Sequence, residues 1–409
     1  MNEDELQSYA RLVLSVGANL QAGQDVTVNA MLEHAPLARA LGEEAYAMGA
    51  RYVDIWYWDP HAKRSRIRHA PEDTLGWTPP WLDARHEYTT EHRSASIGIV
   101  GDPEPDLLAE VDPTRAATDR MPFLASRLAA NMSGSVNWTI VPWPTAGWAS
   151  SAFGEPDVDR LWGYLRFFLR LDQPDPIAAW NEHVERLSSR AAQMNERAFD
   201  ALHYRGPGTD LTVGLMPDAR WSAAEMNTNW GVTFRPNLPT EEIFTAPDRR
   251  RADGVVRSTR PLATGGTVVR DLKVVFSGGV VTDVKASTGA DIVRGQLEAD
   301  EGARHLGELA LVDGTSPIGQ SGIVFFDTLL DENATCHIAY GAGIPTALDD
   351  ASDLSTEERL ERGLNHSKVH TDFMVGSPEL EVDGITREGD RVPILRAEMW
   401  QLESENSGR

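Results

Sequence analysis

The segment HSKVHTDF, residues 366–373, carries three side chains that can bind a metal ion: His366, His370 and Asp372. Residues two apart on an extended chain point to the same side, so His370 and Asp372 can aim at one ion. His366 precedes His370 by four residues, which is roughly 13 Å on an extended chain. Only a helical turn would bring these imidazoles together, and VHTDFMV favours a strand. We therefore predict that His370 and Asp372 form a ligand pair that excludes His366.

Three further short segments contain carboxylates or imidazoles. They are NLPTEEIFTAPDR (237–249) with Glu241 and Glu242, HLGELALV (305–312) with Glu308, and DENATCHIAYG (331–341) with Asp331, Glu332 and His337. Each segment alone is also compatible with a solvated acid or a hydrogen-bonded structural histidine. Together, carboxylates and imidazoles without thiolates suit Zn²⁺, Mn²⁺ or Co²⁺.

The chemistry that such a set supports is amide hydrolysis. Two metal ions that share a carboxylate can polarise a carbonyl and generate hydroxide near neutral pH. A further carboxylate can then move the proton from the water to the leaving amine. The sequence contains neither a phosphate-binding glycine loop nor a GxSxG nucleophile motif. Cys336, the single cysteine, adjoins His337 on a strand pattern where neighbours point to opposite faces, so we predict a buried structural role for it.

The composition of the chain limits the classes of function. Its 409 residues carry a formal net charge of −24, and an acidic surface repels phosphate backbones and anionic membranes. No apolar run approaches the roughly 20 residues that span a bilayer. The N-terminal sequence MNEDELQSYARL lacks the basic and apolar regions of a signal peptide. We therefore expect a cytoplasmic protein with no nucleic-acid and no membrane partner.

The first half of the chain alternates helix and strand patterns. Helical spacing occurs at 3–20, 34–50, 112–132, 157–171 and 176–203, and strand patterns occur at 25–30, 52–58, 96–101 and 136–144. This alternation is typical of an α/β layered domain with a mostly parallel sheet. A Gly/Pro break at HYRGPGTD, residues 203–210, predicts a domain boundary. We place the N-terminal domain at residues 1–206 and the C-terminal domain at residues 207–409.

The second half is richer in strand patterns. Strands are predicted at 209–215, 254–260, 308–312 and 322–330, a hairpin at 267–287 that turns at Ser277-Gly278-Gly279, and a helix at 290–305. The acidic segment 346–363 is predicted to be a surface insertion that is helical in its later part. These patterns predict a C-terminal α+β, strand-rich domain, and this domain contains all four segments with candidate ligands.

The four segments also resemble a known family. NLPTEEIFTAPD, LGELALV, DENATCHIAYG and NHSKVHTDFMVGS occur in the order found in the thermophilic-aminopeptidase family of metallopeptidases, the aminopeptidase T and aminopeptidase S type. The resemblance implies a two-domain homodimer with a pair of divalent metal ions per subunit, Zn, Co or Mn. Carried over position by position, it implies five metal ligands: Glu242, Glu308, His337, His370 and Asp372. It also implies that Glu308 bridges the two ions and that His366 does not occupy a ligand position.

One position departs from the family pattern. The family carries a Tyr seven residues after the His of the DENA motif, and this chain has Ile344 there. Isoleucine cannot donate the hydrogen bond that a phenol would give to the metal site or to a tetrahedral intermediate. Tyr340 is the nearest tyrosine and is a candidate catalytic residue in its place. Glu332 is the candidate general base, or it orients a ligand; a Glu that caps the turn in DEN is the structural alternative.

Three functions are compatible with these residues. The first is a metal-dependent aminopeptidase that hydrolyses the N-terminal residue from short peptides. The second is a hydrolase or deaminase of a small amine or amide, for which the tryptophans at 77–81 and 224–234 can line an apolar pocket, although tryptophans are more often core residues. The third is a pseudoenzyme or binding protein that retains the metal ligands without turnover.

A single-metal oxygenase is a variant of the second function. His337, His370 and Asp372 would then form a facial triad around one iron. One iron does not need Glu242 or Glu308, so the presence of both glutamates argues against this variant.

Overall fold

The computed structural model describes residues 1–119, 121, 126, 130–131, 134–264, 267–348 and 354–402. The chain divides into two compact units. The first comprises Met1–Glu182 and Glu225–Pro239, and the second comprises His183–Ala224 and Thr240–Arg409. The boundary expected after residue 206 falls inside the second unit, because the segments on either side of it pair as neighbouring antiparallel strands.

The first unit contains a four-stranded parallel sheet. Its strands are β1 (Asp25–Met31), β2 (Tyr52–Trp58), β3 (Ala95–Val100) and β4 (Trp138–Pro142), in the spatial order β2-β1-β3-β4. Each neighbouring pair is parallel. The strand β1 is buried along its whole length, as expected for a central strand of a parallel sheet. The predicted α/β character of the N-terminal region is confirmed.

Helices alternate with these strands and continue into the second unit. In the described part of the chain they are Glu3–Leu12, Ala35–Ala47, Pro60–His69, Glu72–Leu75, Pro80–Glu91, Pro113–Thr118, Ala146–Phe153, Val158–Phe168, Pro176–Arg197, Ala290–Leu297, Pro317–Gln320, Thr328–Glu332 and Thr356–Arg362. The first begins with a capping box in which Asn2 and Glu5 exchange side-chain and backbone hydrogen bonds. Among the described helices, none is long and apolar enough to cross a membrane.

The second unit is rich in strands, as predicted, and its described strands pair antiparallel. The remaining strands in chain order are β5 (Ala201–Gly206), β6 (Thr209–Leu215), β7 (Met226–Asn227), β8 (Thr233–Phe234), β9 (Ile243–Thr245), β10 (Pro247–Arg257), β11 (Leu262–Thr264), β12 (Thr267–Val269), β13 (Lys273–Ser277), β14 (Val280–Lys285), β15 (Leu306–Leu311), β16 (His337–Gly341), β17 (His370–Met374), β18 (Glu381–Ile385), β19 (Arg391–Arg396) and β20 (Met399–Trp400). The ribbon β7-β8 belongs to the first unit.

Two sheets organise the second unit. One has eight strands in the order β14-β13-β10-β6-β5-β18-β19-β20, and the other has four strands in the order β17-β16-β15-β9. The predicted hairpin turns at Gly278 and Gly279, whose φ angles of +56° and +82° suit a two-residue turn between β13 and β14. The sheet β17-β16-β15-β9 carries most of the candidate site residues that the sequence predicted.

One predicted strand is wrong. The apolar run at residues 322–330 has no strand and instead ends in the helix Thr328–Glu332. The buried Asp331 carboxylate accepts the backbone N–H groups of Phe325 at 2.8 Å and Asp327 at 3.3 Å. These side-chain bonds replace the ladder that a strand would need.

Two predicted segments are described only in part. The helix predicted over 112–132 is present at Pro113–Thr118, and most of the remainder lies outside the described residues. In the acidic segment 346–363, Thr356–Arg362 is helical as predicted. Residues 349–353 of that segment lie outside the described residues.

Candidate metal centre

The four-stranded sheet of the second unit, β17-β16-β15-β9, brings four candidate ligands to one face. Glu308 of β15 and Asp372 of β17 both lie opposite Ala339 of β16, so their side chains leave the sheet on the same side. His337 precedes Ala339 by two residues, and His370 precedes Asp372 by two residues. The period of two along a strand therefore places both imidazoles on this face as well.

Glu242 joins the cluster from the end of the sheet. It directly precedes β9, the neighbour of β15, and its Oε2 lies 3.1 Å from Nε2 of His337. The adjacent Glu241 has different contacts: its carboxylate lies 3.4 Å from Nε2 of His183, and its backbone N–H donates to Oδ1 of Asn333 at 2.7 Å. Of the two buried glutamates in PTEE, the second reaches the cluster.

The separations within the cluster match those of atoms that share one ion. Nε2 of His370 lies 3.0 Å from Oε2 of Glu308 and 3.4 Å from Oδ1 of Asp372. Two ligand atoms about 2.1 Å from a tetrahedral metal ion lie about 3.4 Å apart. The cluster can therefore close around a metal ion with little movement of these side chains.

Among the described residues, three groups bring ligand atoms to within 4.8 Å of one another. The groups are Glu242, Glu308 and His337; Glu308, His370 and Asp372; and Glu332, His337 and Asp372. Glu308 belongs to the first two groups. A carboxylate with two oxygens can serve both, which is the arrangement that bridged two-metal sites use.

Three polar atoms of the cluster are buried and make no well-aligned hydrogen bond: Oε2 of Glu242, Nε2 of His337 and Oδ1 of Asp372. The first two of these atoms face each other at 3.1 Å. A buried polar group left in this state costs roughly 1–3 kcal/mol. All three are of the atom types that bind metal ions, and each belongs to a residue of the cluster. A divalent cation would satisfy them together, so the residues present fit a metal site.

Backbone carbonyls fix the orientation of both imidazoles. Nδ1 of His337 lies 2.9 Å from the carbonyl oxygen of Glu332, and Nδ1 of His370 lies 2.8 Å from that of Ala342. Since a carbonyl oxygen only accepts, each Nδ1 carries the proton in the neutral ring and leaves Nε2 as the ligand atom. Both Nε2 atoms face the carboxylates.

Burial and like charge shape the electrostatics of the cluster. Burial raises the pKa of Glu308, and the nearby Asp372 raises it further, against the opposing effect of His370. The pKa of Glu332 lies well above its usual range because the carboxyl is buried, with further increases from Glu242 and Asp372. Burial lowers the pKa of His337, but the Glu242 carboxylate and its acidic neighbours outweigh that effect and hold the pKa well above the usual value. The cluster thus has an excess of negative charge that cations can neutralise.

Comparison with known proteins agrees with this geometry. The profile of the thermophilic metalloprotease family (M29) matches residues 2–400. The chain belongs to this family. Aminopeptidase 2 of Geobacillus stearothermophilus is 40% identical over 408 residues, covering 98% of each chain. Aminopeptidase T of Thermus aquaticus is 42% identical over 408 residues, covering 98% of this chain and 99% of the relative.

A solved structure of a family member has the same fold. The structure described as wild-type AmpT from Thermus thermophilus superposes with a TM-score of 0.89 at 40% sequence identity, covering 98% of this chain and 100% of that chain. The family resemblance stated from four sequence segments is confirmed. The chain is accordingly a member of a metallopeptidase family along nearly its entire length.

The sequence-predicted residues of this M29 family member divide into two sets. The structure gathers Glu242, Glu308, Glu332, His337, His370 and Asp372. It leaves His366 exposed and outside the three ligand groups, as the spacing argument predicted. Tyr340, the other candidate catalytic residue, is not brought to the cluster.

Tyr340 lies on the opposite face of the sheet because neighbours along a strand alternate. It is fully buried, and its hydroxyl donates to Oε1 of Gln296 in the helix Ala290–Leu297. Its ring lies 6.3 Å from that of Phe373. These contacts are those of a core tyrosine, and they give no support to the catalytic role expected for it from the sequence.

Two further residues stand next to candidate ligands in the sequence. Cys336 is buried, donates its thiol to the carbonyl of Val312 at 3.3 Å, and burial raises its pKa to about 12. This matches the predicted structural role. Ile344 is half-buried at the start of the turn Pro345–Ala347 and offers no donor where the family has a tyrosine.

Sequence reasoning missed Asn333 and Asn365, which brace the site. Asn333 binds the backbone of Glu241 at 2.7 Å and of Leu329 at 2.9 Å. Asn365 donates to the carbonyls of Gly302 at 2.7 Å and Gly341 at 2.5 Å. Their position beside candidate ligands in DENA and NHSKVHTD was the available signal.

We predict opposite effects for the two histidines of HSKVHTDF. His370→Ala should lose about one equivalent of zinc per chain, because its Nε2 is one of three ligand atoms in its group. The matched variant His366→Ala should keep the zinc content of the unaltered protein. Elemental analysis after dialysis against a fixed zinc concentration measures both, and loss of one equivalent in His366→Ala would contradict the assignment.

Proposed function

We propose that this protein is a metal-dependent aminopeptidase that removes the N-terminal residue from short peptides with two divalent metal ions. The observation that carries the proposal is that Glu308 belongs to two adjacent ligand groups on one sheet face. Membership of a metallopeptidase family over residues 2–400 and the aminopeptidase names of its relatives support the reaction class.

The two ligand groups define the two ion sites of the proposal. Glu242 and His337 would hold the first ion, His370 and Asp372 would hold the second, and Glu308 would be a ligand shared by both. When bound, such ions polarise the scissile carbonyl and lower the pKa of water. Zn²⁺, Co²⁺ and Mn²⁺ all suit a set of imidazoles and carboxylates without thiolates.

Glu332 is the proposed proton carrier. Its carboxyl lies within 4.8 Å of ligand-type atoms of His337 and Asp372, which places it beside the proposed ions. A carboxyl held in this way can accept a proton from the attacking water and return it to the leaving amine. Its backbone carbonyl also orients His337, so the residue contributes to the site through two separate groups.

We predict that Glu332→Gln retains both metal ions and loses turnover. The amide keeps the size of the side chain and leaves the backbone contact to His337 intact, but it cannot carry the proton. We expect kcat to fall by about 10²–10⁴-fold, measured with an aminoacyl-p-nitroanilide. Glu298→Gln, at an exposed glutamate, is the control. A loss of metal in Glu332→Gln would instead make Glu332 a ligand.

Ile344 favours a second candidate function. Without the phenol that the family places at this position, the tetrahedral intermediate of peptide hydrolysis lacks one hydrogen-bond donor, and Tyr340 points to the other face of the sheet. The metal set would then act on a small amine or amide instead of a peptide. If the missing donor abolishes turnover altogether, the protein is a pseudoenzyme that binds metal without catalysis.

The variant Ile344→Tyr separates these functions. If the missing donor limits peptide hydrolysis, the new phenol should raise kcat on aminoacyl-p-nitroanilides by about 10-fold or more, since one such donor is worth roughly 2.7–4 kcal/mol in other hydrolases. Ile344→Phe adds the ring without the hydroxyl and is the matched control. Equal rates for the two variants would show that the hydroxyl has no role here.

Assembly and location form part of the same proposal. We infer a homodimer in the cytoplasm, on the strength of the family resemblance and of the acidic composition. Light scattering on the purified protein measures the assembly, and fractionation of cells that express it measures the location.

The proposed reaction is tested by combining metal analysis with a substrate panel. The metal-free protein is reloaded in turn with Zn²⁺, Co²⁺ and Mn²⁺ and assayed with aminoacyl-p-nitroanilides, short peptides and small aryl amines. Glu308→Ala should abolish turnover and lower the metal content, because it removes a ligand from both ions. Full activity with unchanged metal in Glu308→Ala would refute the two-metal proposal.

A further inference from the structure

Glu308 reaches the cluster through a β-bulge at Gly307. Along β15 and β16, Leu306 lies opposite Tyr340 while Glu308 lies opposite Ala339. Two steps along β15 therefore match one step along β16, and Gly307 is the extra residue. A bulge of this kind changes the direction in which the following side chain points.

The bulge decides which face of the sheet Glu308 occupies. Leu306 is buried on the face of Tyr340, away from the metal-facing side. In a ladder that continued unbroken from Leu306, Glu308 would lie opposite Ile338 and point to that same face. The extra residue allows Leu306 to stay in the core while Glu308 turns to the candidate ligands.

Position 307 has no space for a side chain. A Cβ atom there would lie 2.1 Å from the carbonyl oxygen of Ala342 and 2.6 Å from that of Gly341. Both neighbours are backbone atoms at the end of β16, so a side chain at residue 307 would require the backbone to move.

The two crowded carbonyls themselves support the site. The Ala342 oxygen accepts from Nδ1 of His370 at 2.8 Å, and the Gly341 oxygen accepts from Nδ2 of Asn365 at 2.5 Å. Moving Ala342 would therefore release the imidazole of His370. His337 is oriented by a different carbonyl, that of Glu332, and does not share this dependence.

We infer that Gly307 is a positioning residue for the ion held by Glu308, His370 and Asp372. The inference rests on the proposed two-metal function and assigns to Gly307 a double effect: it aims Glu308 and leaves room for the carbonyl that orients His370. Two ligands of the second ion, Glu308 and His370, depend on Gly307. The other ion, held with Glu242 and His337, has only Glu308 as a ligand that depends on it.

The test is a Co²⁺ titration of metal-free Gly307→Ala, followed by visible absorption and elemental analysis. We expect the ion lost in His370→Ala to bind about 10–100-fold more weakly in Gly307→Ala, the usual effect of disturbing a group that orients a ligand. The other ion should be affected less. Gly295→Ala is the matched control, because a Cβ at this helical glycine meets nothing within 4 Å.

A milder variant keeps the inference testable if Gly307→Ala does not fold. Ala342→Gly loosens the same carbonyl without a clash, and it should weaken the same ion by several-fold while circular dichroism stays unchanged. Wild-type binding of both ions by either folded variant, or equal weakening of both ions, overturns the inference alone. An unaltered protein that binds fewer than two Co²⁺ ions overturns the two-metal proposal and the inference with it.

Discussion

Mutual repulsion among buried carboxylates is the constraint on which the candidate metal centre depends. Glu242, Glu308, Glu332 and Asp372 are drawn together around two imidazoles, and Glu242, Glu308 and Asp372 are buried. Two like charges about 5 Å apart repel by roughly 3 kcal/mol at an effective dielectric constant of about 20. Burial is the main cause of the raised pKa of Glu308 and of Glu332, and neighbouring carboxylates raise both further. Protons or cations can relieve this repulsion, and the buried atoms of Glu242, His337 and Asp372 that lack a well-aligned hydrogen bond favour cations.

The strands of the sheet hold the repelling carboxylates at fixed positions. The candidate ligands stand on, or directly before, neighbouring strands of one four-stranded sheet, whose ladders fix the spacing between them. The imidazoles are held by main-chain carbonyls, so their ligand atoms are already aimed before an ion arrives. Because such preorganisation reduces the cost of binding, the protein can hold metal in a cluster that would otherwise destabilise the fold.

The chain combines the fold of its family with one departure from the family pattern beside the candidate ligands. Relatives with 40–42% identity cover nearly the whole chain, and the fold of the AmpT structure is retained. Ile344 nevertheless places an apolar side chain where the family resemblance calls for a phenol.

The sequence by itself determined that His370 and Asp372 share one face of a strand, and it predicts that His366 is not a ligand, because the period of two along a strand is a local property. It also determined the parallel α/β pattern of the first half and, through family resemblance, the remaining candidate ligands. Only the tertiary structure decided which face each strand residue occupies: Tyr340 turns away from the cluster, and Glu308 turns toward it because the bulge at Gly307 shifts the alternation. The apolar run 322–330 was predicted as a strand because hydrophobic pattern does not register the backbone bonds that Asp331 accepts. These features depend on register and on contacts between residues far apart in the chain, and no local pattern encodes them.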